Sequence, residues 1–461
     1  MCGIAGVFGH EPPLAPDVLR RMTRSIAHRG PDGEGYWQND GVAFGHRRLS
    51  IVDLAGGAQP MGVDRPVVVT FNGEIYNHQS LRRDLRALGA TFHTQSDTEV
   101  LVEGSAIHWD TLPARLNGMF AYAAWDKERR RGLLARDRMG QKPLYYAHLD
   151  DGRLVFASEL KAVLEHPDID RRIDVEAAAL YLTYEYVPHP WSIIRGVKKL
   201  PPGHVLEWND GAISIRRFAE LPFGEPSSIR SEKEWVDATR TALRRSVERR
   251  LMSDVPLGVF LSGGIDSSAI VALMADVVPA ASIRTFSIAF DDKSFDESSY
   301  AQTVADHFGT DHQVRTFGAD ALLDLLPSVA DWMDEPFGDA SLLPTHLLSK
   351  FTREHVTVAL GGDGGDELFA GYETFRADTA ARMYRHAPAP VRGLARSLVH
   401  RMPVSTSNFS LDFVLKRFVD GADAVDEFRH VRWLSSCLPN TADDPLLPAL
   451  RETIPDGDVY G

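Results

Sequence analysis

Only two cysteines, Cys2 and Cys437, occur among the 461 residues. That is too few for a disulfide framework, and a reducing compartment is expected. No stretch of about 18 apolar residues is present, so no membrane span is expected. The first residues lack the charged and apolar regions of a secretory signal. Positive charge is in short supply: 50 Lys and Arg face 64 Asp and Glu, a net charge of −14. Such a balance argues against a nucleic-acid or anionic-membrane partner, and Arg129–Arg131 reads as a solvated turn. Neither an internal repeat nor a low-complexity tract is visible. A soluble cytoplasmic protein is expected, with Cys437 in "WLSSCLPN" a packing residue.

What is present is globular, 44% hydrophobic and 25% charged, and long enough for about two to three domains. Up to residue 215 the pattern is short strands punctuated by turns: "GVAFGHRRLSIVD", "RPVVVTFNGEIYN", "GMFAYAAWD", "RGLLARDRMG" and "GRLVFASE". Helical periodicity intervenes at "HQSLRRDLRALG" and "DTEVLVEGSAIHW". Strands in series with outer helices predict an α+β sandwich. Residues 216–231, rich in Pro, Ser and Gly, read as a linker. From 232 to 461 strands and helices alternate: a long helix, then "VPLGVFL", "SIRTFSIAF", "DHQVRTF" and "EHVTVALGG" separated by helices such as "ESSYAQTVADHFG" and "ADALLDLLPSVADWM". That alternation predicts an α/β parallel sheet with helices on both faces. Beyond about residue 372 the chain turns helical and basic.

Three stretches carry chemistry. The chain opens "MCGIAGVFG". Removal of Met1 would make Cys2 the terminal residue, with its own α-amine as base; on these residues alone, a small apolar residue starting a buried strand remains open. In "VFLSGGIDSS" a strand ends at Leu261, Ser262-Gly263-Gly264 turns the chain, and a helix begins near Asp266. Glycines, freed N–H groups and the helix dipole make an anion cradle, to which Ser262, Ser267 and Ser268 add hydroxyls. No Lys-Ser/Thr pair follows, so this is not a Walker-type loop. In "VALGGDGGDELFAGY" a second strand ends in a loop bearing Asp363, Asp366 and Glu367, without the alternating spacing of a calcium loop. Both loops would leave the C-terminal ends of parallel strands, where α/β ligand sites form. Asp266 and Asp366 could there share a Mg²⁺.

Taken together, "MCGIAG", "HRGPDGEG", "HRRLSIVD", "FNGEIYNH" and "SDTEVL" resemble the glutaminase domain of class II glutamine amidotransferases, which are N-terminal nucleophile hydrolases. "FLSGGIDSS", "DESSYAQTVADHFGT", "DEPFGDASLLPTHLLSK" and "LGGDGGDELFAGY" resemble the synthetase domain of glutamine-hydrolysing asparagine synthetases, of ATP-pyrophosphatase type. The resemblance runs in order from residue 1 to about residue 375. It implies a four-layer sandwich of two antiparallel sheets for residues 1–215 and an ATP-binding synthetase domain for 232–461.

The resemblance also implies roles. Cys2 would attack the glutamine amide, with Asn72 and the N–H of Gly73 forming the oxyanion hole. Arg48 would bind the substrate α-carboxylate and Asp97 its α-ammonium, with Glu74 orienting that end. ATP would adenylate the aspartate β-carboxylate, and ammonia, passed through an internal channel, would displace AMP. Ser262, Gly263, Gly264, Asp266, Ser267 and Ser268 would hold the pyrophosphate portion, while Leu257, Ser287 and Gly362 would border the nucleoside. Asp266 and Asp366 would carry Mg²⁺, and Asp296 and Asp363 fall on family site positions. Glutamine, aspartate and ATP are the implied partners, and members of the family often form homodimers. Taken singly, Arg48 and Asp97 also read as surface charges, and Asn72-Gly73 as a hairpin turn.

Two departures qualify this expectation. Gly361 stands where the family often has serine. The chain also ends without a counterpart to the family's lysine-bearing helical segment; Lys416 and Arg417 in "FVLKRFVDG" stand in another context. A fragment or a truncated paralogue is therefore expected. The alternatives are an amidotransferase for a different carboxylate acceptor, or a synthesis-deficient nucleotide-binding paralogue that keeps its glutaminase.

Overall fold

The computed structural model describes residues 1–10, 13–222, 228–229, 231–405, 410–424 and 426–435. Cys437, the C-terminal segment around it and parts of the expected linker lie outside the described residues. The chain divides into two compact units, Met1–Ala177 with Pro188–Val255, and Ala178–Val187 with the described residues from Pro256 onward. The last of these boundaries, after Val255, lies C-terminal to the linker expected at 216–231. The helix Glu232–Arg250, opened by a Ser231/Glu234 capping box, belongs to the first unit, where Arg250 lies over the Tyr76 ring.

In the first unit the strands are β1 (Gly3–Phe8), β2 (Gly33–Asn39), β3 (Val42–Arg48), β4 (Val67–Ile75), β5 (Gly118–Asp126), β6 (Arg131–Arg136), β7 (Tyr145–His148), β8 (Leu154–Ala157), β9 (Val197–Lys199), β10 (His204–Asn209) and β11 (Ala212–Arg217). Among the described residues they form two antiparallel sheets, ordered β2-β3-β1-β8-β7-β9 and β11-β10-β6-β5-β4. Side chains alternate across each strand. Ile4 and Phe8 of β1 and Phe44 of β3 face inward onto Val68, Trp125 and Leu134 of the other sheet. The intervening Ala5 and Val7 face outward onto Leu19 and Met22 of the helix Pro16–Ser25. On the second sheet Val69, Phe71 and Tyr122 turn outward onto Leu81 and Leu85 of the helix His78–Ala87 and onto Val100 and Leu101 of the helix Thr98–His108. Both faces of each sheet are thus buried, which is why β4 and β5 read as continuous apolar runs rather than alternating ones. Each large side chain so buried contributes about 1.5–3 kcal/mol. The result is the expected four-layer sandwich, helix–sheet–sheet–helix.

The second unit holds β12 (Leu257–Phe260), β13 (Arg284–Phe290), β14 (Asp311–Phe317) and β15 (Val358–Leu360) in one parallel sheet, ordered β14-β13-β12-β15. Helices Ile265–Ala275, Ser298–Phe308 and Leu342–Arg353 pack on it, with Phe351 edge-on to Phe286 of the core. The strand order reverses between β12 and β15, so a crevice opens where their C-terminal loops diverge. One expected helix differs. "ADALLDLLPSVADWM" forms two, Ala319–Leu323 and Leu326–Trp332, because Pro327 has no N–H to donate to the turn before it. None of the described helices is long and apolar enough to cross a membrane.

Candidate active sites

Strand β1 brings Cys2 to one end of the sandwich. Gly3 pairs with Arg47, which places Cys2 beside Arg48, the last residue of β3. The Cys2 thiol accepts a hydrogen bond from Leu49 N at 3.4 Å and lies 3.6 Å from Leu49 O, to which it donates. Burial pushes the thiol above its ordinary range, against the pull of the Leu49 contact and nearby positive charge. At neutral pH it is therefore a thiol that needs a base to become a nucleophile. Arg29, from the "HRGPD" turn, donates to Cys2 O at 2.9 Å and is itself held by Glu159 at 2.8 Å.

Cys2, Arg48, Asn72, Gly73, Glu74 and Asp97 all line one pocket. Asn72 and Gly73 lie in β4, opposite Ala121 and Phe120 of β5, in a strand rather than a hairpin turn. Asn72 is fully buried, and neither its amide nitrogen nor its oxygen has a hydrogen-bond partner among the described residues. Leaving such a group unpaired costs about 1–3 kcal/mol, which a polar group entering the pocket would recover. Glycine at 73 is required by close approach, since a Cβ there would stand 2.1 Å from Met119 O. Asp97 is not a surface charge, and Arg48 is half-buried. Asp97 is buried at the start of the helix Thr98–His108 and accepts Ile75 N at 2.9 Å; burial still pushes its carboxyl up to about 6. Arg48 donates to the carbonyls of Leu54 at 3.0 Å and Asp53 at 2.7 Å. Burial, reinforced by the charge of Asp97, pushes Glu74 up to about 7.

The sequence reading missed Lys142. It is 3% exposed and lines the same pocket, with Nζ 2.6 Å from Met1 Sδ. Burial pushes it down to about 8, partly offset by Glu74. The signal available was a lone lysine at the edge of the apolar run "KPLYYA".

In the second unit β12 leads through Leu261 into Ser262-Gly263-Gly264, and the helix Ile265–Ala275 follows. Gly263 has φ +82°, and a Cβ there would stand 2.5 Å from the backbone of Tyr300 and Ala301. The Ser262 and Ser267 hydroxyls lie 3.1 Å apart, and Ser262 Oγ accepts Gly264 N at 3.2 Å, so both shape the loop. Ser268 Oγ is buried without a partner among the described residues. The loop after β15 closes on this one: a Cβ on Gly362 would stand 2.9 Å from Ser267 N, and one on Gly365 2.4 Å from Asp266 Cγ. Burial and the neighbouring charges of Asp366 and Glu367 push the Asp266 carboxyl up. Among the described residues no cluster of three or more His, Cys, Asp or Glu could cage a metal. Asp266 and Asp366, near enough for the charge of one to act on the other, are a pair of carboxylates of the kind Mg²⁺ takes beside phosphate oxygens and water.

The remaining expected residues lie in the same unit. Ser287 is buried on β13 and donates to Leu261 O. Leu257 begins β12, at the end of the strand away from the loop and roughly 13 Å from Leu261. Asp296 accepts Ser298 N at 3.1 Å at the start of a helix. Asp363 folds back over Gly361, where a Cβ would meet its carboxylate at 2.4 Å. Lys416 is tied to Met402 O and Asp412, and Arg417 to the carbonyls of Trp433 and Leu434.

Residues 1–219 match a glutamine amidotransferase domain family, and residues 238–438 match the asparagine synthase family. Asparagine synthetase [glutamine-hydrolyzing] 1 of Bacillus subtilis is 38% identical over 87% of this chain and 63% of its own. A putative asparagine synthetase [glutamine-hydrolyzing] 2 of Methanocaldococcus jannaschii is 36% identical over 81% of this chain and 76% of its own. Asparagine synthetase B [glutamine-hydrolyzing] of Escherichia coli is 32% identical over 92% and 74%. The chain therefore spans 63% of the length of the Bacillus relative.

Proposed function

Because the chain belongs to the family of glutamine-hydrolysing asparagine synthetases, we propose that it couples glutamine hydrolysis to ATP-driven amidation of aspartate. The observation that carries the glutaminase half is the buried Asn72 amide, without a partner among the described residues, in one pocket with the Cys2 thiol. With Met1 removed, the Cys2 α-amine takes the thiol proton and Sγ attacks the glutamine side-chain carbonyl. Charge develops on the amide oxygen, to which Asn72 Nδ2 and the Gly73 N–H would donate. The C–N bond breaks, ammonia leaves with the proton the amine held, and water releases glutamate from the thioester. Arg48 and Asp97 bind the two charges of the α-amino-acid end, and Glu74 orients it.

The second unit is read as the synthetase. The N–H groups after Ser262-Gly263-Gly264 and the Ser268 hydroxyl hold the pyrophosphate portion of ATP, with Gly362 letting the β15 loop come close. Asp266 and Asp366 would hold Mg²⁺, which when bound neutralises charge on the phosphate oxygens. An oxygen of the aspartate β-carboxylate attacks the α-phosphorus and pyrophosphate leaves. Ammonia then adds to the acyl carbon of β-aspartyl-AMP and expels AMP.

The direct test is pyrophosphate release from Mg-ATP with aspartate and ammonia supplied together. Release that depends on aspartate, with asparagine formed, is the expected result. Aspartate-independent release, or release driven only by another carboxylate, overturns the acceptor assignment.

A further inference from the structure

We propose that Asp53 is a positioning residue for the glutamine pocket, holding Arg48 and Asp97 at the mutual spacing that selects an α-amino acid; the inference rests on reading that pocket as the glutamine site. Arg48 and Asp97 belong to separate elements, the end of β3 and the start of the helix Thr98–His108. Asp97 is anchored to the end of β4 through Ile75 N, at 2.9 Å. Asp53 bridges their supports. Its carbonyl accepts Arg48 Nη2 at 2.7 Å and Gly57 N at 2.9 Å. Oδ1 of its carboxylate accepts Gly56 N at 2.8 Å, closing the 53–57 loop. Oδ2 accepts Gln95 N at 2.7 Å, in the short segment that leads into Asp97.

Asp53 is itself pinned. Its N–H donates to Asp254 Oδ2 at 2.7 Å, and Asp254 N donates back to Ile51 O at 2.9 Å. Its φ of +48° is left-handed, a conformation that aspartate tolerates and most side chains resist. The loop is closed tightly on the guanidinium, since a Cβ on Gly57 would stand 2.4 Å from Arg48 Nη2. Each oxygen of Asp53 thus serves a different strap, and removing the carboxylate frees two of them. Cys2, Asn72 and Gly73 are held by β1, β3 and β4 and do not depend on these bonds.

The test separates recognition of the α-amino-acid end from reactivity of the thiol. Cys2 of the purified full chain is inactivated in one series by 6-diazo-5-oxo-L-norleucine, a glutamine analogue with an intact α-amino-acid end. Iodoacetamide, which has none, is used in the other. For Asp53→Ala, the expected result is a fall of about tenfold or more in the rate with the analogue and a matching rise in KM for glutamine, the loss of hydrogen bonds to a charged group. Over the same comparison kcat and the iodoacetamide rate stay within about twofold, because the nucleophile is untouched. Asp53→Asn, which keeps one acceptor oxygen, falls between Ala and the parent. Equal slowing by both reagents would show a displaced thiol and overturn the proposal, as would an unchanged KM in either variant. A parent enzyme whose Cys2 reacts with iodoacetamide but never with the analogue would overturn the reading of the pocket, and this inference with it.

Discussion

Asn72 is buried without a partner among the described residues, in one pocket with a thiol that burial keeps protonated, so its contribution should appear in rate rather than in binding. Asn72→Ala is expected to lower kcat for glutamine hydrolysis by about 10²–10³ with KM little changed, the signature of a lost oxyanion donor. Steady-state glutaminase kinetics decide this, and an equal rise in KM with kcat preserved would reassign Asn72 to ground-state binding. Asp97 makes a different prediction. Its carboxyl is pushed up to about 6 by burial and that of Glu74 to about 7, and only the ionised form of Asp97 pairs with an α-ammonium. kcat/KM for glutamine should therefore climb as pH rises through about 6 to 7, in a limb shared by the two carboxyls. In Asp97→Asn the lower part of the climb should flatten, and a pH profile of kcat/KM that keeps its parental shape would remove Asp97 from that role. At this scale the motif residues were legible because each stands in a distinctive local string. Lys142 was not, since a lone lysine is buried or solvated according to what packs over it.

Elements were legible wherever the apolar pattern was long and its ends were marked. β5 begins and ends as "GMFAYAAWD" does, and the helix Ser298–Phe308 ends at Gly309, in the left-handed conformation. The split at Pro327 escaped a reading by apolar period alone, because the residues on either side keep the period while the proline breaks the hydrogen-bond ladder. The β12–helix junction carries the prediction for this scale. Gly263 combines φ +82° with a backbone contact that leaves no room for a Cβ. Gly263→Ala should lower ATP-dependent pyrophosphate release by about tenfold or more through backbone strain, while glutamine hydrolysis stays within about twofold. Parallel assays of the two half-reactions check it; equal loss in both would indicate general misfolding instead of a local defect at the loop.

For the whole molecule, the two compact units place the two proposed half-reactions on separate scaffolds, an antiparallel sandwich and a parallel sheet. Cys2→Ala should accordingly abolish asparagine formation from glutamine while leaving formation from ammonia intact, measured by product analysis with each nitrogen source. If the variant still uses glutamine at the parental rate, Cys2 is not the nucleophile. The sequence by itself determined the local rules: which segments are strands or helices, where glycines free the backbone, and which strings supply a thiol, an amide or a carboxylate. Those depend on neighbours along the chain, through periodicity and backbone sterics. Tertiary structure alone decided that Cys2, Arg48, Asn72 and Asp97, drawn from four separate segments, share one pocket. It also decided that Asp53 straps two of the pocket's walls together. The physical reason is that burial, charge coupling and hydrogen-bond register depend on distance in space, and strand pairing makes neighbours of residues far apart in the chain.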